Sequence, residues 1–302
     1  MRICVLGMNV SPLKRTLELE GETLVGLREK PELLITDTEA PESYKGPVVG
    51  RDWSIPSLVL EAMDIVVDPS LRVNLVVGKW LDQEWRHQTI LGIPVYGMMN
   101  ENLGAQACAG LGTRFVRSTQ FDDLFNNEEL LSTLKAMQYN GFVSFSLSLS
   151  LDTNSLFKIV SVQTGFPFHG LFNALEGISG RTVEYFTGEK TTLKESWVMG
   201  LLLSRWPYPQ NVSTRSIISG VTTDMEKHLW LFGVERFKNS IYTDNTKVGW
   251  VTAWSPTLTE ANRRVLRTAR NIDFEDKQYR TDLSSEVAMI WHQLQGRGLI
   301  EE

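Results

Sequence analysis

Asn74-Leu-Val-Val-Gly-Lys-Trp-Leu81 and Leu91-Gly-Ile-Pro-Val-Tyr-Gly97 decide how the fold reads. The first is a run of apolar residues up to Gly78. The second is a short apolar run that ends on glycine. Between them, Leu81 to Ile90 is polar and amphipathic and predicts a helix. Strand, helix, strand in that order implies a right-handed crossover between parallel strands. Met1-Arg-Ile-Cys-Val-Leu-Gly7 has the form of a first parallel strand in an open α/β sheet. Glu32–Thr36 and Asp64–Val67 supply two more candidates. Residues 1–103 therefore read as a Rossmann-like domain.

Gly104 to Gly112 is rich in Gly and Ala and marks a junction. Leu130, Leu131, Leu134 and Met137 recur at helical spacing within Asn127–Tyr139. Two strands follow, Phe142–Leu151 and Phe157–Gln163. Asp152-Thr-Asn-Ser155 is the turn between them. In the first of these, Ser alternates with apolar residues, as on a strand with one wet and one dry face. A helix is expected over Gly170–Glu176, closing a second unit at 104–180. After Arg181 come short strands and loops, including Trp206-Pro-Tyr-Pro209 and Ile217-Ile-Ser-Gly220. Lys247–Trp254 is a further strand. Thr257-Leu-Thr-Glu260 is a capping box opening a helix to Asn271, and a last helix spans Ser284–Leu294. This third unit is 181–302.

Composition narrows the function classes. The chain of 302 residues is 42% hydrophobic and 22% charged, as in ordinary globular proteins. A net charge of −6 with no basic block points away from a phosphate-backbone partner, so nucleic acid is not expected. Two cysteines, Cys4 and Cys108, make neither a disulfide framework nor a thiolate metal site. His87, His169, His228 and His292 lack metal-ligand spacing. The chain opens on a strand with no signal-peptide pattern, and no apolar run reaches the length of a bilayer span. The expectation is a cytoplasmic protein with no membrane partner. Self-association is left open.

Three segments resemble the glycinamide ribonucleotide synthetase (phosphoribosylamine–glycine ligase) family. Asn74–Leu81 with Leu91–Gly97 is similar to the end of that family's N-terminal domain, a strand, a helix and Gly-Ile-Pro-Val-Phe-Gly. Pro207-Tyr-Pro209 and Ile218-Ser-Gly220 are similar to its Gly-Tyr-Pro turn and Ile-(Ser/Thr)-Gly. Lys247-Val-Gly-Trp-Val-Thr-Ala253, Leu258-Thr-Glu-Ala261, Ile272-Asp-Phe-Glu275 and Gln278-Tyr-Arg-Thr-Asp-Leu283 resemble its C-terminal signature. The resemblance implies an α/β protein with a Rossmann-like N-terminal domain, a truncated ATP-grasp-type core and a C-terminal α+β unit.

The departures bear on chemistry. The block that in the family holds the ATP-grasp lid is skipped near Gly104–Gly112, where Gly110-Leu-Gly112 resembles a Gly-Met-Gly. Lys158–Gln163 aligns with the family's Val-X-Glu-Phe-Asn, whose Glu and Asn hold magnesium. Ser161 and Gln163 stand there instead, and Mg²⁺ wants hard anionic oxygens. No metal and no cofactor are expected, Mg-ATP only if the nucleotide site has been rebuilt.

The substrate-binding candidates are Lys247 with Asn245 and Thr246, where the family has a phosphate-holding Gly-Gly-Arg. To these are added Tyr208, held between prolines, and Arg215. Lys79 and Trp80 end a strand where open α/β sheets bind ligands. Each also has a plain reading as a surface or packing residue. His169 and His87 are the weak candidates for a catalytic base. The functional expectation is a pseudoenzyme that binds a small molecule, phosphoribosyl-like or an amino acid, or a partner. The alternatives are a glycine transferase using a pre-activated acceptor and a true ATP-dependent glycine ligase of purine biosynthesis.

Overall fold

The computed structural model describes residues 1–7, 11–38, 40–49, 72–86, 89–96, 108–116, 119–149, 157–165, 170–189, 192–210 and 214–300. The strand expected at Asp64–Val67, the turn at Asp152–Ser155, His87 and His169 lie outside them.

The described residues up to Val49 include a small parallel sheet. Strands β1 (Arg2–Leu6), β2 (Thr23–Leu24), β3 (Leu33–Thr36) and β4 (Val48–Val49) lie in the order β2-β1-β3-β4, every pairing parallel. Helix α1 (Leu13–Leu19) buries Leu13 and Leu17 against Ile3, Val5, Leu33 and Ile35. This matches the expectation drawn from Met1–Gly7 and Glu32–Thr36.

Among the described residues the body is a ten-stranded sheet. Its strands are β5 (Arg72–Leu81), β6 (Glu84–Trp85), β7 (Thr89–Tyr96), β8 (Cys108–Val116), β9 (Gly141–Leu149), β10 (Phe157–Thr164), β13 (Trp197–Arg205), β15 (Leu229–Leu231), β18 (Lys247–Ser255) and β19 (Lys277–Gln278). The order is β10-β9-β5-β7-β8-β13-β18-β15, with β6 on β5 and β19 on β13. Its pairings are antiparallel. Two-residue strands β11 (Ile178–Ser179) and β12 (Thr192–Leu193) pair with each other. β14 (Ser216–Ile218), β16 (Val234–Phe237) and β17 (Ser240–Thr243) form a small separate sheet.

The crossover read from Asn74–Gly97 is corrected here. β5 and β7 are antiparallel neighbours, with Leu75 opposite Gly92 and Val77 opposite Ile90. Asp82 and Gln83 turn the chain with φ of 48° and 69°, and Glu84–Trp85 folds back so that Trp85 faces Trp80. A short amphipathic stretch does not distinguish helix from hairpin by period alone. Trp85 settles it: its ring meets Trp80 at 5.0 Å and Phe125 at 4.8 Å, and its indole donates to the Phe125 carbonyl at 2.7 Å. The sheet runs on past residues 103 and 180, since β7 lies beside β8 and β8 beside β13.

Strand alternation gives the sheet two buried faces. One carries Trp80, Leu91, Ile93, Phe145, Leu147, Met199 and Val251. It is covered by α2 (Glu128–Ala136), α5 (Leu258–Asn271) and α6 (Leu283–Gly296). Gly110 and Gly112 let α6 lie close, because a Cβ at either would meet Leu283 or Val287. The Thr257 cap forms, accepting from the Glu260 amide at 3.4 Å. The returning half of the box does not, because the Glu260 carboxylate binds Arg263 and Arg264. The other face carries Val77, Ile90, Leu111, Phe142, Leu202 and Trp250. It is covered by α3 (Gly170–Glu176), α4 (Thr182–Thr187) and the parallel unit.

Candidate functional site

The residues singled out from sequence scatter. Lys79 and Trp80, being successive on a strand, point to opposite faces, and both are 2% exposed. Trp80 joins the core under α2. Lys79 lies in the other core, its Nζ 4.3 Å from the Tyr185 ring and 5.7 Å from that of Phe142, with no hydrogen-bond partner among the described residues. Burial alone pushes it down to about 7. Since β5 belongs to an antiparallel sheet, the rule about strand carboxyl ends does not apply to this pair.

Asn245, Thr246 and Lys247 form a closed turn rather than an open cradle. The Asn245 Oδ1 accepts from the Lys247 amide at 3.0 Å, and the Asn245 amide donates to Thr243 Oγ1 at 3.1 Å. Thr246 is buried, and its carbonyl accepts from the Arg205 amide at 2.8 Å. The Lys247 ammonium lies 4.4 Å from the Phe232 ring centre. Arg215 is exposed and paired with Glu235. Both line a hollow of about 130 Å³ with Thr243 and Asp244. Tyr208 packs, half-buried, against the core beneath the sheet. On β10, Ser161 lies opposite Ser146 and Gln163 opposite Ser144, so this strand pair offers hydroxyls and a neutral amide. Among the described residues no group of three or more His, Cys, Asp or Glu is placed to hold a metal ion.

The polar convergence lies elsewhere, in a cleft of about 400 Å³ between α1, α3 and β15. Its lining includes Glu20, Glu176, Lys194, Lys227 and His228. Asn173 fastens α3 to the sheet. Its amide nitrogen donates to the Leu111 carbonyl and to Thr113 Oγ1, each at 2.9 Å, and its oxygen accepts from the Trp250 indole at 2.9 Å. Gly200 leaves room for that bond, since a Cβ there would strike both partners. Three residues on, one helical turn places Glu176 over β18. There its Oε2 accepts from Thr252 Oγ1 and pairs with His228 Nδ1, both at 2.8 Å. The Trp230 indole donates to the same Thr252 hydroxyl at 3.2 Å. The Glu176 side chain is 4% exposed and that of His228 42%, so the imidazole carries the buried charge's influence out to the cleft.

Electrostatics follow from these contacts. The hydrogen bond to Glu176 holds His228 above its usual value, against the opposing pull of burial. Lys194 donates to the Glu176 carbonyl at 3.0 Å and stands 4.5 Å from the Trp254 ring centre, and burial lowers it. Glu20 caps α4: its carboxylate accepts from the Thr182 amide at 2.9 Å and the Thr182 hydroxyl at 2.8 Å. Burial raises it. A second cleft of about 360 Å³ lies on the other flank of α1. It is lined by Lys14, Arg15 and Arg236 around Glu226, which binds both arginines.

Sequence reading missed Glu176, Lys194, His228 and Thr252. The pair Glu176–His228 is 52 residues apart, and nothing local joins them. The one available signal was Thr252, a polar residue on the apolar strand expected at Lys247–Trp254.

No family model matches the chain, and no curated protein matches it. Solved structures do. Phosphoribosylamine–glycine ligase from Thermotoga maritima superposes with a TM-score of 0.51 at 18% identity, over 71% of this chain and 56% of that one. The ATPase subunit of phosphoribosylaminoimidazole carboxylase from Aquifex aeolicus gives 0.54 at 8% identity, over 90% of this chain and 100% of that one. Multifunctional pyruvate carboxylase from Rhizobium etli gives 0.54 at 13% identity, over 99% of this chain and 35% of that one. The chain spans about half the length of the Thermotoga ligase. At such identities the likeness is one of fold: a mixed α/β protein with a large antiparallel sheet like those of these neighbours.

Proposed function

We propose that this chain is a diverged phosphoribosylamine–glycine ligase-like protein that binds a small amino acid such as glycine, and does so without Mg-ATP. The observation that carries the reading is the mixed charge of the cleft. Glu20, Glu176, Lys194, Lys227 and His228 line one cleft of about 400 Å³, Glu176 already bonded to His228. An amino acid presents an ammonium and a carboxylate a few ångströms apart, and needs both signs in one pocket. Partial burial strengthens such contacts relative to water.

The magnesium half of the reading rests on donor chemistry. Ser161 and Gln163 are neutral and lie opposite Ser146 and Ser144. Mg²⁺ bridging phosphates is held by one or two carboxylates. This donor set does not fit the ion.

Titration calorimetry tests both halves. Glycine is expected to bind with no nucleotide present, Lys194→Met and Glu20→Gln should each weaken it tenfold or more, and Mg-ATP should give no heat. Micromolar Mg-ATP binding would restore ATP-dependent ligation as the function.

A second reading, glycine transfer to a pre-activated acceptor, is favoured by the neighbouring cleft. On the far side of α1, Lys14 lines it beside Arg15 and Arg236, both of which are paired with Glu226. Labelled glycine appearing in an acceptor without nucleotide would support this reading.

A further inference from the structure

We propose that the Thr252–Glu176–His228 chain makes His228 Nε2 the proton acceptor of the cleft, so that an amine bound there passes a proton to the imidazole. This rests on the reading of the cleft as an amino-acid site and adds to it a direction for the proton.

The argument starts at the carboxylate. Ionised Glu176 can only accept hydrogen bonds. Its Oε2 takes one from Thr252 Oγ1 and stands 2.8 Å from His228 Nδ1. Nδ1 must therefore carry the hydrogen, which leaves Nε2 as the basic nitrogen. The Thr252 hydroxyl is itself oriented, because the Trp230 indole donates to its oxygen and so directs its hydrogen to Glu176. Glu176 cannot swing away, since α3 is pinned through Asn173 one turn earlier. A buried carboxylate locked behind a half-exposed imidazole is the arrangement that sets a tautomer and steadies the imidazolium once formed.

The other charged groups facing His228 act on the ligand. Lys194, ahead of β13, and Lys227, on the turn before β15, crowd the cleft with positive charge. Glu20, at the end of α1, is engaged by Thr182. An ammonium held in this cleft beside Lys194 and Lys227 has like charge near it, which favours loss of its proton. The balance is simple: one N–H bond of the ammonium breaks, one N–H bond forms at Nε2, and the positive charge moves next to Glu176. No further reactant is needed for that step.

Nitrogen-15 NMR of histidine-labelled protein tests it. In the free protein, above the midpoint of its own titration, His228 is expected in the Nδ1–H form. Glu176→Gln should lower that midpoint and mix the tautomers. Thr252→Val keeps the carboxylate and should give the same changes to a smaller degree, which guards against misfolding of the first variant. An Nε2–H form in the free protein, or a midpoint indifferent to both variants, overturns the inference whatever the ligand. Adding glycine at that pH should move His228 to imidazolium shifts. Glycine that binds while His228 stays neutral overturns the proton step but leaves the binding site standing. Absence of glycine binding would sink the ligand assignment, and the tautomer result would then decide the inference alone.

Discussion

Two buried ionisable groups lie beneath the same face of the sheet, and their surroundings differ sharply. Glu176 is met by a hydroxyl and an imidazole, both at 2.8 Å, and the imidazole reaches a cleft. Lys79 is met by the rings of Phe142 and Tyr185 and, among the described residues, by no hydrogen-bond acceptor. The first is a charge kept in place by partners. The second is an amine stripped of water with only ring faces to stabilise it, a weak substitute for lost hydration. The contrast separates a group held by polar partners at a cleft from one buried among rings, although Lys79 was the one visible from sequence as a site candidate.

The largest effect is expected at Lys79. Burial takes it from an ordinary 10.5 down to about 7. At ~1.36 kcal/mol per pH unit, that difference is worth about 5 kcal/mol. The sign follows from proton counts. Between the two values the unfolded chain holds the proton and the folded chain does not, so stability rises as pH climbs from about 7. Lys79→Met should abolish that slope in urea melts. It should also stabilise the protein most below the folded value, where Lys79 is charged. An unchanged pH profile would mean that Lys79 has a partner after all.

Glu176→Ala should act oppositely, costing roughly 1–3 kcal/mol as the buried Thr252 hydroxyl loses its acceptor. A loss as small as a surface substitution would erase the distinction between the two groups. Thr252→Val is expected to cost about 1 kcal/mol, the value of one hydrogen bond. The smallest effect belongs to His228→Gln. Because His228 is held above its usual 6.5 when folded, its contribution is present below that value and fades as pH rises through the folded one. Its half-exposed ring limits this to under about 1 kcal/mol. The wild type and variant melts should converge at alkaline pH.

The sequence was most legible where apolar pattern alone sets an element. The helices at 170–176 and 258–271 fall within a residue or so of where spacing and capping put them, as do the strands beginning near Phe142, Phe157 and Lys247. The reading failed at Leu81–Ile90, where contacts of Trp85 with Trp80 and with Phe125, the latter 40 residues on, choose a hairpin over a helix. The cleft was illegible for the same reason. Its members come from positions 20, 176, 194, 227 and 228, and only the stacking of α1 and α3 on one sheet face brings them together. Resemblance pointed to Asn245–Lys247 and Lys79. The Asn245 side chain closes a turn, Lys247 lies over the Phe232 ring, and Lys79 lies in a core.

A crystal structure of the protein grown with both glycine and Mg-ATP tests the central claim most directly. The account predicts an amino acid seated between α1 and β15, its ends on opposite charges of the cleft, and nothing beside β10. Nucleotide and a divalent ion against Ser161 and Gln163, with the cleft empty, would contradict it.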